Sequence, residues 1–307
     1  MSQNLQISPN GALPTATRAS RRRAIIAILV AAIFFAGAAA CVKTLDGAVP
    51  LAQLVLFRSL FAFPVLLPLV HQAGGWSALR SSNPMGHVWR TMFGLIGMAG
   101  AFYGYTTMPI ATVTALGFTM PLFLTLLAVP LLGERVGWRR GSAVLVGFLG
   151  VIIMVRPFGA DAMAPLPSLI VLVAALSWAL AMITIRRMGE AGESGVAIVL
   201  WFAIGSSLVA FLASLPVWVW PSLWEWGFLF AIGILSALAQ LLMTEAYRAG
   251  EPTLIAPFEY SGIIWTTLLG ALIWAEAPDG WDALGILILV SSGLYIWWRE
   301  VQLGLKR

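Results

Sequence analysis

Charge is scarce in this chain. Its 307 residues hold 18 Lys and Arg and 13 Asp and Glu, so charged residues make up 10%, against roughly 25% in a soluble domain. A water-soluble enzyme of this length is excluded on that ground. The single cysteine, Cys41, excludes an internal disulfide framework and any multi-Cys metal site. Histidine is limited to His71 and His87, which read as solvated residues at a membrane interface. There is no His-Glu-x-x-His, no phosphate-cradling Gly-Lys-Ser/Thr loop, no nucleophile elbow and no paired intramembrane aspartate. Catalysis, a metal and a cofactor are therefore not expected. With no nucleotide-binding motif, any transport must run on a gradient or on exchange.

What is abundant is apolar: 60% hydrophobic residues, with 14 Trp, 16 Phe and 30 Gly, and a mean hydropathy of +0.91. The apolar residues come in blocks of the length at which a helix crosses a bilayer, about 20 residues. Spans are expected at 24–42, 50–70, 89–107, 111–132, 139–156, 166–186, 195–217, 226–248, 253–275 and 281–298. No charge falls between Arg90 and Glu134, too long a stretch for one helix, and Met108-Pro109 divides it. The expected class is an all-α integral membrane protein of ten transmembrane helices. Residues 1–23 read as a disordered cytoplasmic tail and 299–307 as a short second one. The run after Arg21-Arg22-Arg23 resembles a secretion leader but is read as the first span, because it is long and the repeat described next requires it.

Basic residues set the orientation. With the N-terminus inside, Arg18, Arg21, Arg22, Arg23, Arg80, Arg90, Arg135, Arg139, Arg140, Arg186, Arg187, Arg248, Arg299, Lys306 and Arg307 fall on the cytoplasmic side. Lys43 and Arg156 fall outside, and Arg58 sits mid-span. That bias places both termini in the cytoplasm, in a bacterial inner membrane. Basic residues at helix ends, rather than on one face, also argue against a nucleic-acid partner. Trp76, Trp89, Trp138, Trp297 and Trp298 are placed in an inner aromatic belt. Trp218, Trp220, Trp224, Trp226, Trp274 and Trp281 are placed in an outer one.

The halves repeat weakly but in register. At an offset of 143, Phe35 aligns with Trp178, Lys43 with Arg186, Trp138 with Trp281 and Gly150 with Gly293. At 142, Tyr105 aligns with Tyr247, Thr125-Leu126-Leu127 with Thr267-Leu268-Leu269, and Glu134 with Glu276. Residues 24–157 and 166–298 thus read as two five-helix repeats. Five is odd, so the second copy enters the membrane from the opposite face, the inverted construction recurrent in secondary transporters. Glycines stripe the third span (Gly94, Gly97, Gly100, Gly104), the fifth (Gly141, Gly147, Gly150) and the tenth (Gly285, Gly293), as small residues do where helices approach closely in lipid.

Several segments resemble the drug/metabolite transporter superfamily, in its EamA-type ten-helix branch. They are Phe57-Arg58-Ser59, Pro109-Ile110-Ala111, Pro121-Leu122, Leu132-Gly133-Glu134, Gly147 with Gly150, and a weaker copy from Pro252 to Ala275-Glu276. The second copy departs from the pattern: Ala275 replaces the glycine of the Gly-Glu pair, and Gly262-Ile263 stands where the first copy has Met120-Pro121. The resemblance implies a small-metabolite substrate and a central cavity walled by spans 3, 4, 8 and 9, with 5 and 10 peripheral. His87-Val88-Trp89-Arg90, Ala115 to Thr119 and Val155-Arg156-Pro157 are similar to a bacterial group with riboflavin importers and S-adenosylmethionine carriers.

Arg58 lies mid-membrane, where a charge costs about 2.5–3.5 kcal/mol on insertion scales and needs an interior partner. Glu259 and Glu245 are the candidates, in a fixed ion pair or in a gate. Glu245 has an alternative partner in Arg248, one helical turn away. Glu259, with Glu245 behind it, is also the candidate for proton coupling. Tyr103, Phe118, Trp178, Tyr260 and Trp265 are the aromatic candidates for substrate contact or gating. Trp201 is a further mid-membrane aromatic. The expected function is a secondary transporter working by alternating access, with riboflavin uptake as the specific reading. S-adenosylmethionine transport or amino-acid export is the alternative. A channel or an intramembrane enzyme is the reading from a different class. The expected partners are a small-molecule substrate and the bilayer, with the chain a monomer or homodimer.

Overall fold

The structure is a computed structural model and describes residues 18–72, 75, 81, 83–132, 137–156, 165–249 and 258–304. Among these residues the regular structure is helical throughout, with no strand. The helices are α1 (Arg18–Thr44), α2 (Leu51–Leu60), α3 (Phe63–Gln72), α4 (Pro84–Thr107), α5 (Ile110–Gly117), α6 (Met120–Leu132), α7 (Trp138–Val155), α8 (Pro165–Glu190), α9 (Gly195–Ser214), α10 (Leu223–Ala249), α11 (Ser261–Trp274) and α12 (Gly280–Gly304). Most described residues of the ten apolar blocks are helical, with turns at Phe61–Ala62, Phe118–Thr119 and Tyr260. Among the described residues seven stretches are long and apolar enough to cross a membrane by themselves, and Gly141–Val155 and Ser261–Trp274 are shorter apolar helices. The chain is a multi-pass membrane protein.

Proline places most of the breaks. Pro64 falls in the first turn of α3, where its missing N–H is not needed, and α2 stops short at Leu60. Pro109 separates α4 from α5 as expected, with Met108 in an extended conformation between them. Pro121 would set its ring against the carbonyl of Gly117, and α5 ends at Gly117. The fourth block is therefore two helices joined at Phe118 and Thr119. At the start of α4, the Asn83 side chain accepts a hydrogen bond from the Gly86 N–H at 3.0 Å, with Pro84 as the first helical residue.

The most extensive helix contacts are α1 with α10, α4 with α8, and α7 with α12; α2 packs on α9 and α5 on α11. Every one of these pairs joins an element of the first half to one of the second. Glycine makes two of the contacts close. A Cβ on Gly97, Gly100 or Gly104 would press on Ala174, Ile170 or Val171 of α8, and Gly150 and Gly285 meet backbone to backbone where α7 crosses α12. Gly141 faces open space and takes no part in that crossing. Polar ties are few: Ser59 Oγ lies 3.0 Å from Ser206 Oγ between α2 and α9, and Ser292 Oγ donates to the Ala143 carbonyl at 2.6 Å. Gln53, fully buried, clamps both backbone groups of Val219 at 2.8 and 2.9 Å and ties the segment before α10 to α2. Large apolar side chains of α7 and α9, among them Leu145, Leu149, Leu208 and Leu212, face outward, as lipid contact requires.

Candidate functional site

Two places in the bundle interrupt the packing of continuous helices, and both hold residues singled out in the sequence. Phe118 occupies the break between α5 and α6, and Tyr260 the turn just before α11. Their rings are in contact, with centroids 5.0 Å apart and tilted by 50°. Gly262 faces the Phe118 ring at van der Waals distance. The Tyr260 hydroxyl is seated against Gly293 of α12, where any Cβ would collide with it. Glu259 is adjacent and electrostatically coupled to Tyr260.

The second place surrounds Arg58. Its guanidinium lines a small cavity between α2, α9 and α10 with Ser59, Phe202, Ser236 and Gln240. Among the described residues no ion pair joins Arg58 to Glu259; the Glu245 side chain lies outside the described residues. Among the described residues, Arg90 is near enough to Arg58 for their charges to interact. The sequence placed Arg90 among the interfacial basic residues, but it is only 2% exposed. It runs along α4 into the space left by Gly94 and stacks on Phe202, its guanidinium carbon 4.1 Å from the ring centroid. His87, expected to be solvated, is also buried, with Nε2 3.5 Å from Glu193 and its ring 6.0 Å from Trp201. Glu193 accepts from the Ser81 hydroxyl and the Asn83 N–H, drawing the start of α4 onto the α8–α9 turn.

The remaining candidates are dispersed. Trp178 packs under Gly97 and against the α1–α10 cluster of Ala24, Ile28 and Met243. Tyr103 and Trp265 are half-buried on α4 and α11. The tyrosine of α4 that packs against the apolar core is Tyr105. Trp218 and Trp226, placed in the outer belt by sequence, pack on Phe57 at 6.0 and 4.7 Å, whereas Trp220, Trp224 and Trp281 are exposed as a belt requires.

One end of the bundle is tied across the two halves by ion pairs. Lys43 of α1 meets Glu276 at 2.9 Å, donates to the Met108 carbonyl at 3.1 Å and lies 5.6 Å from the Trp274 ring centroid. Glu276 also accepts from the Ile110 N–H at 3.4 Å. Arg156, just past α7, meets Asp279 at 2.7 Å and Asp282 at 3.6 Å. The counterpart of Glu276, Glu134, lies outside the described residues. Among the described residues no cluster of His, Cys, Asp and Glu could hold a metal ion.

A multi-pass helical bundle that turns Arg58 and Arg90 inward and breaks its helices at Phe118 and Tyr260 has the features of membrane transporters. The chain belongs to the EamA-like transporter family, whose sequence pattern matches it twice, over residues 22–156 and 166–298. It is 30% identical over 248 residues to the S-adenosylmethionine uptake transporter of Rickettsia prowazekii (81% of this chain, 83% of that protein). It is 32% identical over 266 residues to the riboflavin transporter of Rhizobium johnstonii (84% and 85%). It is 31% identical over 269 residues to a pseudopaline exporter of Pseudomonas aeruginosa (87% and 93%). One solved crystal structure, 22% identical, shares the fold with a TM-score of 0.64 over 91% of this chain and 97% of its own. The family is one of transporters and not of enzymes.

Proposed function

We propose that the chain is a secondary transporter that carries a small metabolite across the bacterial inner membrane by alternating access. Its ten spans would form two inverted five-helix repeats, with both termini cytoplasmic. The observation that carries this reading is the Phe118–Tyr260 contact. The two residues are equivalent under the 142-residue offset that aligns Glu134 with Glu276, and each sits at a helix break. Equivalent residues touch only on the axis that relates two copies, and paired broken helices on such an axis are where carriers of this construction bind substrate. The helix pairing supports the same reading. Exchanging the halves turns the α1–α10 contact into the α8–α4 contact and returns α7–α12, α2–α9 and α5–α11 to themselves.

The Lys43–Glu276 and Arg156–Asp279 pairs would hold the outer end shut, leaving the site to open toward the cytoplasm. Glu259, beside the axis, is the group placed to couple transport to protons, with Glu245 second. Tyr103, Trp178 and Trp265 remain candidate cavity or gate residues. Riboflavin is the substrate read from sequence, supported by the Rhizobium johnstonii relative and by two aromatic rings at the axis that would stack on a flat heterocycle. Transport of S-adenosylmethionine or an amino acid is the second reading, favoured by the half-buried Arg58 and the buried Arg90 and by the Rickettsia prowazekii relative.

The test is counterflow. Proteoliposomes preloaded with unlabelled substrate should take up labelled substrate transiently above equilibrium, which a channel cannot do. Glu259→Gln should flatten the pH dependence of net uptake while leaving counterflow in place. Unchanged pH dependence would remove Glu259 as the coupling group.

A further inference from the structure

The tenth span, implied by the resemblance to be peripheral, reaches the aromatic pair. It carries Gly293 on α12, and a Cβ built there would collide with the Tyr260 hydroxyl and lie 2.6 Å from its Cζ. Glycine inside a helix is unfavourable relative to alanine. Here it leaves a notch that the end of one side chain fills.

The groups around that notch are held in place. Ser292 donates to the Ala143 carbonyl of α7 at 2.6 Å, Gly285 meets Gly150 backbone to backbone, and Leu289 between them is fully buried. α12 therefore has no room to retreat. The Tyr260 backbone forms the turn before α11, where its carbonyl accepts from the Ile263 N–H at 3.1 Å. A methyl at position 293 must then displace the Tyr260 ring, whose packed partner is Phe118. The Phe118 ring has its own place over Gly262, 3.4 Å from where a Cβ would stand. Both rings pack on one apolar cluster that includes Leu122, Val144, Ile263 and Leu289, and a close-packed interior passes such a displacement on.

The arrangement is one-sided. Gly150, related to Gly293 by the 143-residue offset, is taken up by the helix crossing, where it meets Gly285, Ile288 and Leu289 of α12. Phe118 has no hydroxyl to lodge. Of the two rings on the proposed axis, the tyrosine is the one keyed into a neighbouring helix.

We infer that Gly293 is a positioning residue of the carrier: it lodges the Tyr260 hydroxyl in α12 and so sets how the Phe118–Tyr260 pair presents its rings to the substrate. This rests on the carrier reading, with that pair as its site.

The experiment places Gly293→Ala in the unaltered protein and in Tyr260→Leu, which has neither hydroxyl nor ring to collide. Counterflow into proteoliposomes is measured with labelled riboflavin, S-adenosylmethionine and the common amino acids, and thermal midpoints are read on the same preparations. Gly293→Ala should raise the half-saturating concentration of the carried compound roughly 10- to 100-fold, with a smaller change in maximal rate. In Tyr260→Leu the same substitution should add less than about twofold. Effects that multiply in the double variant would overturn the inference. If Tyr260→Leu carries nothing, the midpoints decide: the lowering caused by Gly293→Ala should shrink in that background, and an equal lowering in both would overturn the inference. If Gly293→Ala alone fails to fold, folding of the double variant supports the collision with Tyr260, and its failure as well overturns it. Carriage unaffected by Gly293→Ala would overturn the inference alone. No counterflow of any compound by the unaltered protein would overturn the carrier reading and the inference together.

Discussion

Ala275 adopts φ 55° at the end of α11, a left-handed conformation that costs an L-residue about 1–2 kcal/mol and that glycine adopts freely. The first copy has Gly133 at the matching place before its glutamate, and the second copy does not. What reads in the sequence as a blurred repeat is, in the structure, local strain beside the Lys43–Glu276 pair. Ala275→Gly should therefore stabilise the protein by about 0.5–1 kcal/mol after the greater flexibility of unfolded glycine is counted, measured as a raised thermal midpoint in detergent. A lowered midpoint would mean that the left-handed turn is not needed. Asp279 supplies a pH-dependent contribution at the same end. Its carboxylate caps α12 through the Asp282 N–H at 2.7 Å and meets Arg156, and both hold its pKa below the usual carboxylate range. The stability this adds is fully present above the unfolded pKa of about 3.9 and is lost as pH falls through the lower folded value. It is small, because the side chain is 48% exposed. Asp279→Asn keeps a capping oxygen but cannot titrate, so its midpoint should fall slightly below that of the unaltered protein at pH 7 and converge with it near pH 3. A gap of the same size at both values would rule out the carboxylate charge as its source.

Helices were legible because lipid enforces them: an apolar block of sufficient length has no other way to satisfy its backbone. Proline then fixed where blocks divide, at Pro109 as expected and at Pro121 unexpectedly, because a proline just past a glycine reads equally well as a tolerated kink. Burial was less legible. Arg90 lies within a run of basic residues at helix ends, and its inward course depends on the absence of a side chain at Gly94, a feature of three-dimensional approach with no local signature. Glycine stripes are similarly ambiguous until the neighbour is known. Gly150 meets the Gly285 carbonyl at 2.8 Å from its would-be Cβ, while nothing lies within 4 Å of Gly141 on the same helix. Gly150→Leu should force α7 and α12 apart at a cost of about 1–3 kcal/mol, and Gly141→Leu should leave the thermal midpoint unchanged. Equal tolerance of both would show that the α7–α12 crossing is looser than the backbone approach implies.

At the scale of the whole molecule the decisive question is whether the halves are inverted or parallel, since only inverted copies turn one packing into two states of similar energy. The sequence offers the repeat as an order of landmark residues, and the Phe118–Tyr260 contact and the pairing of helices between the halves are what support its proposed geometry. The proposed axis rests on these contacts, whereas its tilt relative to the membrane depends on loop sidedness, for which the charge bias is the sole support. Ala48 and Ala191 are related by the same 143-residue offset, and both are exposed in short turns, after α1 and after α8. In inverted copies they fall on opposite faces of the membrane; in parallel copies they share one. Cys41 is the sole native thiol and is half-buried, so a Cys41→Ser background leaves each introduced cysteine as the only target. In intact cells a membrane-impermeant maleimide should label Ala48→Cys at once and Ala191→Cys only after permeabilisation. Labelling of both in intact cells, or of neither, would place the two turns on one face. The bundle would then have no inverted partner state, and alternation between the two ends would lose its physical basis.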